Sequence, residues 1–174
     1  MTEGQMIVIG LRLIVPLLIL WRPLPGSLIA MALDLLDVVI VEFFGEGGMG
    51  AQYHSIDKVL DTYYLSLQLW VALSWTERLP RLTAIVLFVY RLIGVVVFEI
   101  TDWRPTMFIF PNLFEHWFLF VLFRNRFFPG VRLDTWKRVL GWLVVLYIPK
   151  AGQEYMLHIA QAQPWDWIKG KLGL

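Results

Sequence analysis

Four aspartates, Asp34, Asp37, Asp57 and Asp61, lie on two successive apolar stretches of the chain. The members of each pair are three or four residues apart, so on helices each pair shares one face. A carboxylate at mid-membrane depth costs about 2.5–3.5 kcal/mol, and four of them close in sequence call for a compensating charge. Acids brought within a few ångströms raise one another's pKa, so that some hold protons at neutral pH unless a cation intervenes. Hard divalent ions such as Mg²⁺ or Mn²⁺ take oxygen ligands and bridge carboxylates to phosphates. Such ions could clamp a pyrophosphate while one carboxylate acts as base on an attacking hydroxyl. Arg12 and Arg91, each near the middle of an apolar stretch, are suited either to hold a phosphate or to balance the acids. Glu115 and His116 could line an acceptor site, or form an interfacial cap in the first turns of a helix. The reaction class that fits these residue types is phosphoryl-type transfer at a membrane interface.

The elements that must position these residues are apolar and long. Of 174 residues, 58% are hydrophobic and 17% charged, with mean hydropathy +0.63, against about a quarter charged in a soluble domain. The apolar residues fall in blocks of membrane-spanning length, which predicts a polytopic, all-α integral membrane protein of six transmembrane helices. Nine Trp, twelve Phe and six Tyr suit interfacial anchoring and lipid-facing packing. The absence of cysteine excludes disulfides and thiolate chemistry. A net charge of +1 gives no general attraction to nucleic acid.

The spans are expected at residues 6–21, 27–44, 56–75, 82–100, 108–123 and 139–148, the last prolonged toward residue 162. Arg22 to Gly26 reads as a stiff proline turn, Gly45 to Gly50 as a flexible loop, and residues 101–105 as a polar break. Residues 1–163 form one membrane domain, followed by an interfacial tail at 164–174 with Trp and Lys at headgroup level. Lys150 to Glu154 reads as a solvated helix end. Alternating spans bring Asp34, Asp37, Glu42, Asp57, Asp61, Glu99, Asp102, Glu115 and His116 to one membrane face, as a polar cavity opening on one side would require. The turns at the other face carry eight Lys or Arg against five on the acid-rich face. The basic stretch from Arg124 to Arg138 reads as an orientation signal, and the bias puts the acid-rich face outside.

The order of the acids, Asp-x-x-Asp near the end of span two and Asp-x-x-x-Asp opening span three, resembles the signature of the CDP-alcohol phosphatidyltransferases. Gly10-Leu-Arg12-Leu-Ile-Val-Pro16 also resembles that family's first span. The resemblance implies a six-span enzyme that moves a phosphatidyl-type group from a CDP-linked donor to an alcohol. It implies Asp34, Asp37 and Asp57 as metal ligands, Asp61 as ligand and catalytic base, and an active site facing the cytoplasm, the side opposite to the one that the charge bias gives the acid-rich face. The glycine expected after the second acid is Val38, the expected Ala-Arg pair is Val41-Glu42, and a second expected glycine is Tyr53. The metal-binding half of the motif is thus kept and its nucleotide-binding half altered.

The expected partners are membrane lipids, a nucleotide-linked lipid donor, a small alcohol acceptor and a second copy of the chain in a homodimer, with no nucleic acid. The expected location is a cell membrane, crossed several times. Two other classes stay open: a cation- or proton-coupled carrier whose carboxylates relay charge, and a non-catalytic membrane scaffold in which the acids form a structural ion network.

Overall fold

In a computed structural model, residues 3–44, 51–103 and 105–155 are described. They are all-helical, with no strand among the described residues. The Gly45–Gly50 loop and the 164–174 tail lie outside them.

Helix α1 (Glu3–Ile14) passes through a 3₁₀ turn (Val15–Leu17) into the short α2 (Leu18–Trp21). Pro16 accounts for the 3₁₀ turn, because it lacks the N–H that would bond the carbonyl of Arg12. Only Arg22 interrupts the helical path before α3 (Pro23–Phe44). The stiff turn expected over residues 22–26 is therefore one residue long, and α3 starts four residues earlier than expected. First-turn N–H groups have no intrahelical partner, so Pro23 and Pro25 give up nothing there. Gly26 lets α3 lie against α2: a Cβ at this position would come within 2.7 Å of the Leu18 and Ile19 backbone.

Helix α4 (Ala51–Leu73) and α5 (Arg78–Thr101) form an antiparallel pair. Asp102 ends α5 in the left-handed region (φ 49°), which a short polar side chain tolerates better than most. The expected fifth span is divided into α6 (Pro105–Ile109) and α7 (Leu113–Phe127). Pro111 supplies the break, since it lacks an N–H and disfavours helical geometry at Phe110. Helix α8 (Trp136–Glu154) closes the described chain. It buries Lys150, so that residue is not part of a solvated helix end as the sequence suggests.

The core gathers around α7. Trp117, Phe114 and Phe118 are fully buried and pack with Ile19, Leu65, Ala72, Ala84, Val121, Leu133 and Val139. The Trp117 indole donates to the Pro80 carbonyl (3.1 Å), which satisfies its one polar atom inside the core. Arg124, itself buried in the last turn of α7, makes a two-pronged ion pair with Glu77 (2.8 and 2.9 Å). It is thus a packing element rather than only a charge marking orientation.

Two stretches among the described residues, Gly4–Trp21 and Arg78–Thr101, are long and apolar enough to cross a membrane. Only 33% and 17% of their most apolar windows are buried within the protein, whereas the core helix of a soluble protein is mostly enclosed. Val86, Val89, Ile93 and Val96 of α5 face outward.

Candidate functional site

Asp34 on α3 and Asp57 and Asp61 on α4 converge. Each offers a carboxylate oxygen, and these oxygens lie within 4.8 Å of one another. The four-residue spacing on α4 turns Asp57 and Asp61 to one side, and that side meets α3 and α1. Asp37 is on α3, but its side chain lies outside the described residues.

Arg12 enters this cluster from α1. Its guanidinium bonds Asp57 through Nη1 and Asp61 through Nη2, and Nη2 lies 2.6 Å from Asp34. The Arg12 side chain is buried (6% exposed), while the three acids keep 36–49% of their side-chain exposure. The arginine is the sheltered member and the carboxylates form a half-open rim. Hard oxygen donors and close convergence together fit a divalent ion.

Arg91 stands apart from Arg12. It donates to the Phe110 carbonyl (2.9 Å) and lines a cavity of about 30 Å³ between α4 and α5, room for about two water molecules. Lys58, Asp61, Thr62, Leu65, Phe88, Leu92 and Val95 complete its walls. Asp61 is thereby the cluster acid that also borders this cavity. Lys58 bonds Glu99 (2.5 Å) and lies over the Phe98 ring (3.9 Å). The start of α4 and the end of α5 thus meet, as alternation of spans predicts. The two arginines that the sequence leaves equivalent differ in place: Arg12 bonds Asp34, Asp57 and Asp61 directly, and Arg91 faces the adjoining space beside Asp61.

Glu115 and His116 serve the start of α7. Asn112 caps the helix, its Oδ1 accepting from the Glu115 N–H (3.5 Å) and its Nδ2 donating to Glu115 Oε2 (3.2 Å). His116 Nδ1 lies 3.3 Å from the Asn112 carbonyl. This is the cap that the sequence offers as the alternative to an acceptor site. Glu115 also reaches inward, accepting from the Tyr64 hydroxyl (2.8 Å), and Gln68 Nε2 donates to the same hydroxyl (2.7 Å).

Tyr64 and Gln68 are absent from the set of residues that sequence reasoning selects. Their signal is in the spacing: Asp57, Asp61, Tyr64 and Gln68 recur at intervals of four, three and four, which is one face of a helix. Read as apolar-periodic with polar exceptions, α4 hides this stripe. Outside the site, Asp134 in the turn before α8 accepts from Arg138 and lies 2.5 Å from Arg132. Loss of some surrounding water favours its neutral form, but the Arg138 hydrogen bond and the two positive charges outweigh this and hold its pKa below the ordinary 3.8.

Compared with known protein families, curated proteins and solved structures, the chain has no match in any of the three.

Proposed function

We propose that this protein is a six-span membrane enzyme of phosphoryl-type transfer, metal-dependent and similar to the CDP-alcohol phosphatidyltransferases. The observation that carries the reading is the meeting of Asp34, Asp57 and Asp61 from two successive helices, the acids that the resemblance makes metal ligands. The outward apolar faces of α1, α5 and α8 support burial in lipid, since surface of this extent is costly in water.

Asp34, Asp57 and Asp61 would hold Mg²⁺ or Mn²⁺, with Asp37 the fourth ligand by resemblance. The ion when bound supplies positive charge to phosphoryl oxygens as negative charge develops on them. Arg91 stands beside Asp61 and supplies a cation to an anionic phosphate held at the acid cluster. Asp61 borders both the acid cluster and that cavity, which suits it to take the proton of an alcohol hydroxyl. Glu115 and His116 act through the α7 cap and the Tyr64 bond rather than by direct contact with substrate. The donor is a nucleotide-linked lipid and the acceptor a small alcohol.

The test is transfer from a CDP-linked lipid to a panel of small alcohols by purified protein in lipid, with Mg²⁺ or Mn²⁺ added. Asp61→Asn abolishes transfer while the protein still inserts and folds, and unchanged turnover in that variant refutes the base assignment.

A second reading, a non-catalytic scaffold, draws on Arg12, which already supplies a cation to all three acids. Under that reading no divalent ion raises the melting temperature, and replacing Asp34, Asp37, Asp57 and Asp61 by Asn leaves stability equal or better.

A further inference from the structure

Two residues that touch Tyr64 each carry a fully buried side-chain oxygen with no hydrogen-bond partner among the described residues: Ser27 Oγ on α3 and Gln68 Oε1 on α4. Both residues reach the Tyr64 hydroxyl. Gln68 donates to it through Nε2 (2.7 Å), and the Ser27 carbonyl lies 3.4 Å from it. A phenol has one proton to donate, and here the nearer acceptor is Glu115 Oε1 (2.8 Å). The Gln68 amide must therefore present its NH₂ to the phenol oxygen, which turns its carbonyl away. The reversed amide would set carbonyl oxygen against phenol oxygen with no proton between them. The orphaned Oε1 is thus a consequence of the network and not of an arbitrary amide orientation.

Buried polar atoms are rarely left without partners, and in a polar setting the usual partner is an ordered hydroxyl or water. We infer that Ser27 and Gln68 form a binding site for a single O–H group. That group donates to Gln68 Oε1 and shares a hydrogen bond with Ser27 Oγ, which can donate or accept. The site lies where α3, α4 and α7 pack together. It sits on the same face of α4 as Asp57 and Asp61, and the seven residues from Asp61 to Gln68 amount to about 10 Å along the helix. The O–H comes either from a permanently bound water or from a hydroxyl of the acceptor alcohol. The alcohol source rests on the transferase reading, and the water source does not.

Ser27→Ala removes an atom with no protein partner, so it distinguishes an occupied site from an empty one. With the site occupied, this substitution lowers Tm by about 2–4 °C. In a Gln68→Met background it lowers Tm no further, because the shared partner has already been lost. Glycerol or myo-inositol at millimolar concentration, raising the Tm of the wild type but not of Ser27→Ala, identifies an alcohol hydroxyl as the occupant. The Ser27→Ala loss without any response to either polyol identifies water. A Ser27→Ala protein with unchanged or higher Tm overturns the inference. None of these measurements uses metal or nucleotide donor, so absence of transferase activity leaves them readable, and an empty Ser27 site leaves the metal cluster untouched.

Discussion

The guanidinium of Arg12 bonds the carboxylate of Asp61 across 49 positions of sequence, and through it α1 is tied to the acid pair of α4. The buried partner of this contact is the arginine. Its own charge is the one most exposed to the cost of losing company.

Removing that charge has a defined outcome. Arg12→Met removes the guanidinium that bonds Asp34, Asp57 and Asp61, and in metal-free buffer it destabilises the fold. The cost is about 3 kcal/mol, the lower end of the range for broken buried pairs, because the acids are partly solvated. Under the metal-centre reading, Mn²⁺ recovers most of the loss. Thermal unfolding in detergent, with and without Mn²⁺, measures both effects.

The Arg124–Glu77 pair makes a separate prediction. Glu77→Ala strands a buried guanidinium at the end of α7 and costs about 3 kcal/mol. Arg124→Met with Glu77→Ala removes both charges and recovers part of that loss. A double-mutant cycle on unfolding free energy gives the coupling.

Glycine contacts can be tested in the same way. Gly26→Ala would drive a Cβ into the Leu18–Ile19 backbone and should destabilise by about 1–3 kcal/mol. Gly10→Ala, with nothing within 4 Å of the new Cβ, should gain up to about 1 kcal/mol from helix propensity. Opposite shifts in Tm for these two substitutions are the expected result.

Asp134 provides the pH dependence. Its folded-state pKa lies below the unfolded value, so its contribution is present above about pH 4 and is lost as pH falls through the lowered value. A ¹³C carboxyl titration should find its midpoint below 3.8. In Arg138→Ala the midpoint should move upward, because the hydrogen-bonding partner is gone.

Much of the helical frame was legible because apolar blocks and proline breaks act locally. Pro111 divides the expected fifth span, and Pro23 begins a helix where the sequence predicts a turn. Both differences concern which side of a proline the helix occupies, a choice fixed by which N–H groups need partners. The convergence of Asp34 with Asp57 and Asp61 was legible from spacing and the order of spans. The distinct placements of Arg12 and Arg91 were not, since both are single cations in apolar stretches and only packing tells them apart. The packing role of Arg124 is hidden for a related reason: its partner Glu77 lies 47 positions away, beyond any local pattern. Tyr64 and Gln68 lie on the helical period of the polar positions of α4, a signal that the apolar period alone does not carry.

The stripe Asp57, Asp61, Tyr64, Gln68 also limits how this chain can change in length. One residue inserted between Asp61 and Tyr64 would rotate everything beyond it by about 100°, carrying Tyr64 away from Ser27 and Glu115 while Asp57 and Asp61 stayed with Arg12. A compensating deletion farther along α4 could not restore the lost phase at Tyr64. Insertions in the short turn between α4 and α5 carry no such penalty of phase. Length variation is therefore barred from the middle of α4 by geometry, whatever residue is added.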